Sequence, residues 1–182
     1  MNRYYRKLCL FSLFGGVIAW VSYLTYGMTN NEEIVDTSTV KSLNLSRFQG
    51  RWYEIARYDH RFEKGMTHVT ADYILMKNGQ IKVINRGIKE GKPKEIIGKA
   101  KQPDPIQYPG RLKVSFFLWF YAYYYILDLD ENYRYTVIGS SSDKYLWILS
   151  RTSQMDTCLY NKILRGIEQR GYDLSRLVFV KQ

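Results

Sequence analysis

Residues 44–66 read NLSRFQGRWYEIARYDHRFEKGM, and they place a tryptophan directly behind a Gly-Arg pair. From Trp52 to Tyr58 the residues alternate with the period of two that is typical of a β-strand. The indole of Trp52 therefore stands at the start of the first predicted strand. A side chain of this size at a strand end needs a partner to cover it, and that partner has to come from elsewhere in the chain.

The same alternation recurs in seven further segments, with turn sequences between them. Asn78-Gly79 is a strong hairpin signal, residues 103–110 form a proline-rich loop, and residues 130–132 make another tight connection. Eight antiparallel strands joined in sequence order are predicted: Trp52–Tyr58, Val69–Leu75, Ile81–Gly87, Ile96–Ala100, Leu112–Phe116, Tyr123–Leu129, Tyr135–Gly139 and Tyr145–Leu149.

After the strands, the period changes to that of a helix between Gln154 and Arg170. Gly171 ends this helix, and a short last strand follows at Leu177–Val180. The prediction is an all-β fold, a closed eight-stranded antiparallel up-and-down barrel with one C-terminal α-helix packed outside. A sandwich of two sheets would show the same alternation and is the alternative. The apolar face of the helix carries Met155, Leu159, Ile163, Leu164 and Ile167.

The partner of Trp52 follows from the predicted topology. Trp52 begins the first strand and Arg151 ends the eighth, so both lie at the same end of the barrel on strands that become neighbours when it closes. An arginine over an indole face stabilises by about 0.5–2 kcal/mol, depending on desolvation. We therefore predict a structural barrel floor made by Trp52 and Arg151.

These residues also carry a resemblance to a known family. Gly50-Arg51-Trp52 is similar to the G-x-W motif of the lipocalins, and Arg151 to their arginine after the last barrel strand. The resemblance implies that Gly50 belongs to the structural barrel floor with Trp52 and Arg151. The stretches GRWYEIARYDHRFEKG, VINRG, LKVSFF and YLWILSRT look most like the bacterial lipocalins and their apolipoprotein D relatives. The resemblance covers residues 43–182 and implies a barrel whose lumen holds a small hydrophobic ligand. The disulfides of the apolipoprotein D relatives have no counterpart, because Cys9 and Cys158 are the only cysteines.

The N-terminal residues predict a membrane anchor. Leu8 to Gly27 is an uncharged run long enough to cross a bilayer as a helix. Basic residues precede the run and acidic residues follow it, which places the rest of the chain on the extracytoplasmic, periplasmic side of the cell envelope. Cys9 lies at the start of the run and not after it, so it is badly placed for lipoprotein lipidation. We predict an uncleaved signal anchor or transmembrane helix at 1–28, a polar tether at 29–42 and a lipocalin domain at 43–182; a cleaved signal peptide is the alternative.

One side of each strand should face the lumen, and we chose the side opposite the charged residues. On the first strand this register also turns Glu54 inward, where a buried carboxylate needs a partner. The resulting apolar lumen with a few hydroxyl groups is typical of a site for an acyl chain. The predicted lipid-binding residues are Tyr58, Val69, Ala71, Tyr73, Val83, Asn85, Leu112, Val114, Phe116, Tyr125, Leu127, Trp147 and Leu149.

The sequence favours a binding protein over an enzyme. No serine-nucleophile motif occurs, and the two histidines, His60 and His68, have no cysteine or carboxylate neighbours at metal-site spacing. The formal net charge of +10 is typical of a protein with anionic partners, and simple solubility is the alternative explanation. Export argues against nucleic acid as the partner. We predict binding of fatty acids or lysophospholipids for transport or storage, with no cofactor and no metal. The alternatives are an isoprenoid, pigment or haem binder and a non-transporting membrane-stress or interaction protein.

The stretch FFLWFYAYYYI, residues 116–126, is unusually aromatic. By the strand count, the loop Leu118–Tyr121 lies at the open mouth, opposite Trp52. An exposed apolar patch needs a reason. The loop could fold inward as a lid, dock on a membrane, or form the contact of a homodimer.

Overall fold

The computed structural model describes residues 35–182. The predicted anchor at 1–28 and the first part of the predicted tether lie outside the described residues. Within residues 35–182, no helix is both long enough and apolar enough to cross a membrane.

The described chain consists of nine strands, two α-helices and one 3₁₀ turn. Helix α1 is Leu45–Phe48, helix α2 is Thr157–Gln169, and the 3₁₀ turn is Leu174–Arg176. The strands are β1 Gly50–Tyr58, β2 Thr67–Leu75, β3 Ile81–Lys89, β4 Lys92–Lys101, β5 Arg111–Phe117, β6 Phe120–Leu129, β7 Tyr135–Gly139, β8 Leu146–Ser150 and β9 Leu177–Phe179.

Consecutive strands pair antiparallel from β1 to β8, and the sheet then closes on itself. Strand β1 pairs with β2 through Trp52 and Ala71, and with β8 through Tyr53 and Ser150. The first residues of β1 pair with β2, and its last residues pair with β9, where Arg57 lies opposite Val178. The predicted eight-stranded antiparallel barrel with a C-terminal helix is confirmed, and the sandwich is excluded.

Two apolar clusters lie on the two faces of the barrel wall. The lumen cluster contains Trp52, Val83 and Leu149 inside the barrel. The helix-side cluster packs the outer face of β1, β6, β7 and β8 against α2, which buries Ile163 and Ile167. Helix α2 begins behind Asp156, whose carboxylate accepts a hydrogen bond from the Leu159 amide at 3.0 Å and so caps the first turn.

Residues 35–42, which belong to the predicted tether, lie against the barrel and α2. Val35 is buried in the helix-side cluster. The Asp36 amide donates to the Arg170 carbonyl oxygen at 2.8 Å, and its carboxylate lies 3.1 Å from the Arg170 guanidinium. The Val40 amide donates to the Ile126 carbonyl at 3.0 Å. This part of the chain is therefore fixed before the first strand begins.

Two β-bulges decide which side chains reach the lumen. In β1 the pairing with β8 shifts between Glu54 and Ala56, and in β6 the pairing with β7 shifts between Ile126 and Asp128. Each bulge inserts one extra residue, Ile55 in β1 and Leu127 in β6. Because the side-chain period of a strand is two, the residues after each bulge face the opposite way from that expected of a regular strand.

Candidate ligand-binding site

A cavity of about 650 Å³ occupies the lumen. This volume lies within the range of about 300–1,000 Å³ that is common for small-molecule sites. Phe62, Phe117 and Phe120 line the cavity and are also exposed, so the cavity reaches the surface near the turn between β5 and β6. Trp52 stands at the start of β1, and this turn lies at the opposite end of the barrel. The structure therefore has one closed end and one mouth.

Most of the predicted lipid-binding residues lie together on the cavity wall. They come from β2, β3, β5 and β8. The pairing also shifts near the mouth end of β2, between Thr67 and Thr70, and of β5, between Val114 and Phe117, but the predicted residues of these strands still line the cavity. The residues in this group are Val69, Ala71, Tyr73, Val83, Asn85, Val114, Phe116, Trp147 and Leu149.

Four predicted residues lie elsewhere. Leu112 faces inward but packs in the lumen cluster with Trp52 and does not line the cavity. Tyr58, Tyr125 and Leu127 belong to the helix-side cluster on the outer face. Their predicted inward direction is wrong because of the two bulges.

In β1, the extra residue Ile55 turns Tyr58 outward, where its hydroxyl donates to the Asp173 carbonyl oxygen at 2.9 Å. In β6, the charge of Asp128 predicts that the even-numbered residues face outward. Because the bulge adds Leu127 between Ile126 and Asp128, Tyr124 and Asp128 face opposite sides of the wall. Tyr124 therefore lines the cavity, and Tyr125 does not.

Glu54 has a partner that the sequence pattern hides. The guanidinium of Arg57 donates to Glu54 Oε1 at 2.6 Å, and both side chains are buried. Residues three apart on a regular strand face opposite sides, but the bulge at Ile55 brings these two together. Burial, reinforced by the charge of Glu63, raises the pKa of Glu54 to about 8.

The loop between β1 and β2 completes this polar corner of the wall. Glu63 lines the cavity and accepts a hydrogen bond from Trp147 Nε1 at 3.0 Å, while Arg57 donates to the Glu63 carbonyl oxygen at 2.7 Å. Burial raises the pKa of Glu63. Burial and the nearby Arg57 lower the pKa of His60 to about 4, and its ring stacks on Phe62 at a centroid distance of 4.1 Å. No alternation pattern predicts loop residues, so Phe62, Glu63 and Met66 were not identified from the sequence.

Deeper in the barrel, away from the charged residues of the mouth, the remaining polar groups of the wall are neutral. The hydroxyls of Tyr73 and Tyr124 lie 2.5 Å apart, and burial raises the pKa of both. Asn85 Oδ1 is buried without a hydrogen-bond partner among the described residues. The interior therefore offers mainly apolar surface with a few hydrogen-bonding groups.

The closed end is built around the predicted tryptophan. The Arg151 guanidinium lies 3.8 Å from the centre of the Trp52 ring, and Trp52 Nε1 donates to the Phe48 carbonyl oxygen at 2.8 Å. Arg151 also donates to the carbonyl oxygens of Arg47 at 2.7 Å and Arg51 at 2.8 Å, so it ties α1 to β1. Burial lowers the pKa of Arg151.

Gly50 makes this contact sterically possible. Its φ of 96° is strained for residues with a Cβ, and a Cβ there would lie 3.3 Å from Arg151 Nη1. The structure thus brings Gly50, Trp52 and Arg151 together at the end remote from the mouth.

The predicted mouth loop is a tight hairpin turn rather than a long loop. Strand β5 ends at Phe117 and β6 starts at Phe120, so only Leu118 and Trp119 stand between them. Trp119 is 72% exposed and Phe117 is 68% exposed. We call Phe117–Phe120 the mouth hairpin. As Trp119 and Leu118 stay exposed, the hairpin does not fold inward as a closed lid.

The family model of the lipocalin-like domain matches residues 43–182. The chain belongs to the lipocalin family. Outer membrane lipoprotein Blc of Vibrio cholerae is 42% identical over 79% of this lipocalin and 85% of that protein. Apolipoprotein D of Macaca fascicularis is 32% identical over 78% of each chain. The structure of insecticyanin from the tobacco hornworm Manduca sexta superimposes with a TM-score of 0.67 at 20% identity, over 81% of this chain and 85% of that one, and supports the fold alone.

Lipocalins bind small hydrophobic ligands rather than act as enzymes, and the cavity of this lipocalin suits such a ligand. Within residues 35–182, no group of three or more His, Cys, Asp and Glu side chains could hold a metal ion. Cys158 is exposed on α2, outside the barrel, and His68 is exposed on β2.

Proposed function

We propose that this lipocalin binds single-chain lipids, fatty acids or lysophospholipids, in its lumen and carries or stores them in the cell envelope. The main support for this proposal is the cavity. Its wall is mainly apolar, with aromatic side chains such as Phe116 and Trp147 and a few polar groups, which is the usual composition of a site for a hydrophobic ligand. An acyl chain requires only shape and apolarity from such a wall.

The envelope location is supported by a relative and by the predicted anchor. Blc of Vibrio cholerae is named as an outer membrane lipoprotein. Residues 1–28 of this chain provide an N-terminal signal anchor, which holds the barrel on the extracytoplasmic, periplasmic side. Protease treatment of intact and opened cells that express the full chain tests this topology. Cleavage of the barrel only from the extracytoplasmic side is expected, and a soluble form beginning near Thr29 would mean a cleaved signal peptide.

The mouth hairpin provides a second contact with the membrane. Its exposed apolar side chains stand at the rim of the cavity. The ammonium nitrogens of Lys99 and Lys101 lie 5.8 and 4.4 Å from the ring centre of Tyr121, which follows the hairpin in β6. Aromatic side chains beside lysines suit the interface of an anionic bilayer. Trp119 fluorescence should shift to shorter wavelength on anionic vesicles. A homodimer formed through the hairpin would instead change the sedimentation of the protein without vesicles.

Lipid occupancy is tested by mass spectrometry of lipids extracted from the purified full chain and from two tryptophan variants. Val83 lines the cavity, so Val83→Trp fills it. Ile74 lies on the outer face of β2 and is exposed, so Ile74→Trp adds the same side chain without entering the lumen.

We expect fatty acids or lysophospholipids in the wild type and in Ile74→Trp, and their loss from Val83→Trp. Equal lipid content in all three proteins would place the lipid outside the lumen and contradict the proposal. A coloured extract would favour a pigment binder, and an empty wild-type lumen would favour a non-transporting interaction protein.

A further inference from the structure

Two lysines stand on the lumen side of the mouth. Lys89 ends β3 and Lys94 lies in β4, and both line the cavity. Lys94 pairs with Gly87, which is two residues before Lys89, so the lysines are diagonal neighbours on the same face of adjacent strands. Lys89 lies on the same inward face of β3 as Val83, and Lys94 on the same inward face of β4 as Ile96, each at the mouth end of its strand.

The charges of these lysines are not neutralised by the protein. Among residues 35–182, neither Lys89 nor Lys94 has a carboxylate within 4.0 Å. The nearby Glu95 is bound to Arg86 at 2.7 Å, and Arg86 also binds Asp72. The rim therefore presents positive charge to whatever occupies the cavity.

The interior offers an anion no comparable place. Of the described residues, the buried charged ones are Glu54 and Arg57. Arg57 does not line the cavity, and its guanidinium is already hydrogen-bonded to Glu54 Oε1 and to the carbonyl oxygen of Glu63. An anion beside the carboxyl groups of Glu54 and Glu63 would lose its water without contacting a cationic side chain, which is costly.

Resting on the proposed lipid-binding function, we propose that Lys89 and Lys94 hold the anionic headgroup of a single-chain lipid at the mouth, so that the acyl chain enters tail first. The headgroup is a carboxylate or a phosphate, since both offer the oxygen acceptors that an ammonium group binds. The headgroup stays in partial contact with water, and the chain occupies the apolar wall.

The test compares the wild type with Lys89→Met/Lys94→Met, which removes both charges and keeps unbranched side chains. The matched control is Lys77→Met/Lys82→Met. Lys77 lies in the turn between β2 and β3, Lys82 lies on β3, and neither lines the cavity. The probes, titrated at low salt against the full chain, are oleic acid, its uncharged methyl ester, and oleoyl lysophosphatidic acid.

We expect Lys89→Met/Lys94→Met to bind oleic acid or the lysophosphatidic acid about tenfold more weakly, equivalent to about 1.4 kcal/mol, and the ester within about twofold of the wild type. The control should bind all probes as the wild type does. Because exposed charges are screened, the loss should shrink as salt is raised.

The pattern of losses identifies the headgroup. A loss confined to oleic acid supports a carboxylate, and a loss confined to the phosphate lipid supports a phosphate. Equal affinity of the rim variant and the wild type for both anionic lipids, with the ester still bound, would overturn the lysine site and leave the proposed function standing. If the wild type binds none of the three probes, the proposed function fails, and the lysine site fails with it.

Discussion

Replacing Arg151 with alanine should destabilise the barrel while leaving the mouth and its ligand site intact. The guanidinium stacks 3.8 Å above the Trp52 ring and donates to carbonyl oxygens of Arg47, Phe48, Gln49 and Arg51 at 2.7–3.1 Å. These acceptors belong to α1, to Gln49, which follows it, and to the start of β1. The side chain therefore ties α1 to the start of β1 at the closed end of the barrel.

The size of the effect follows from these contacts. The cation–π stack contributes about 0.5–2 kcal/mol, and a hydrogen bond to a charged group contributes about 1.5–3 kcal/mol when buried. Arg151 is half-buried, so water replaces part of what is lost. We expect a loss of about 3–4 kcal/mol in the free energy of unfolding, which lowers Tm by about 6–16 °C for a domain of about 150 residues.

Thermal unfolding followed by circular dichroism gives Tm, and oleic acid titration well below Tm gives the affinity. Arg134→Ala is the matched control, because Arg134 is an arginine at the same end whose side chain is 65% exposed and bound only to Asp130. Because an exposed ion pair contributes little to stability, its Tm should stay close to that of the wild type. The affinity of Arg151→Ala should stay within about twofold of the wild type. An unchanged Tm with abolished binding would refute the structural role of the floor.

Further predictions concern the wall and its charges. Leu127→Trp should lower stability by about 1–3 kcal/mol through overpacking under α2, whereas Val83→Trp should keep the fold and lose oleic acid; equal urea midpoints for the two variants would contradict this assignment. Gly50→Ala should cost about 1–3 kcal/mol because φ there is 96°, and a wild-type urea midpoint would show that the strain is absent. Burial raises the pKa of Glu54 from 4.5 to about 8, so its favourable contribution is present below pH 4.5 and lost as pH rises to 8. Glu54→Gln should therefore gain stability relative to wild type between pH 5 and pH 8 in urea unfolding, and parallel pH profiles would contradict it.

The strand order, the turns and the floor were accessible from the sequence because they depend on local patterns. Asn78-Gly79 does form the β2–β3 turn, with Gly79 at a φ of 78°. The helix predicted at Gln154–Arg170 is observed at Thr157–Gln169. Trp52 and Arg151 could be paired because strand reversal fixes which ends of an up-and-down barrel coincide.

The facing of individual side chains was less accessible, since it depends on counting residues without interruption. One inserted residue reverses every later position, and neither Ile55 nor Leu127 differs in type from an ordinary strand residue. The outer face beneath α2 is also apolar. Residue type therefore does not distinguish Tyr125, which faces outward, from Tyr124, which faces the lumen. The Glu54–Arg57 pair was hidden for the same reason.

The two faces of the barrel wall also have an evolutionary consequence. On β7, β8 and the middle of β6, side chains on both faces are buried or partly buried, so neighbours such as Trp147 and Ile148 belong to different packed layers. A substitution there disturbs either the lumen or the packing of the wall against α2. On β3 and β4 the outer face is lined by residues such as Lys82 and Lys99, which leave the inner face free to change alone. We expect ligand preference to diversify among relatives through the β3–β4 half of the wall, while the half beneath α2 changes slowly.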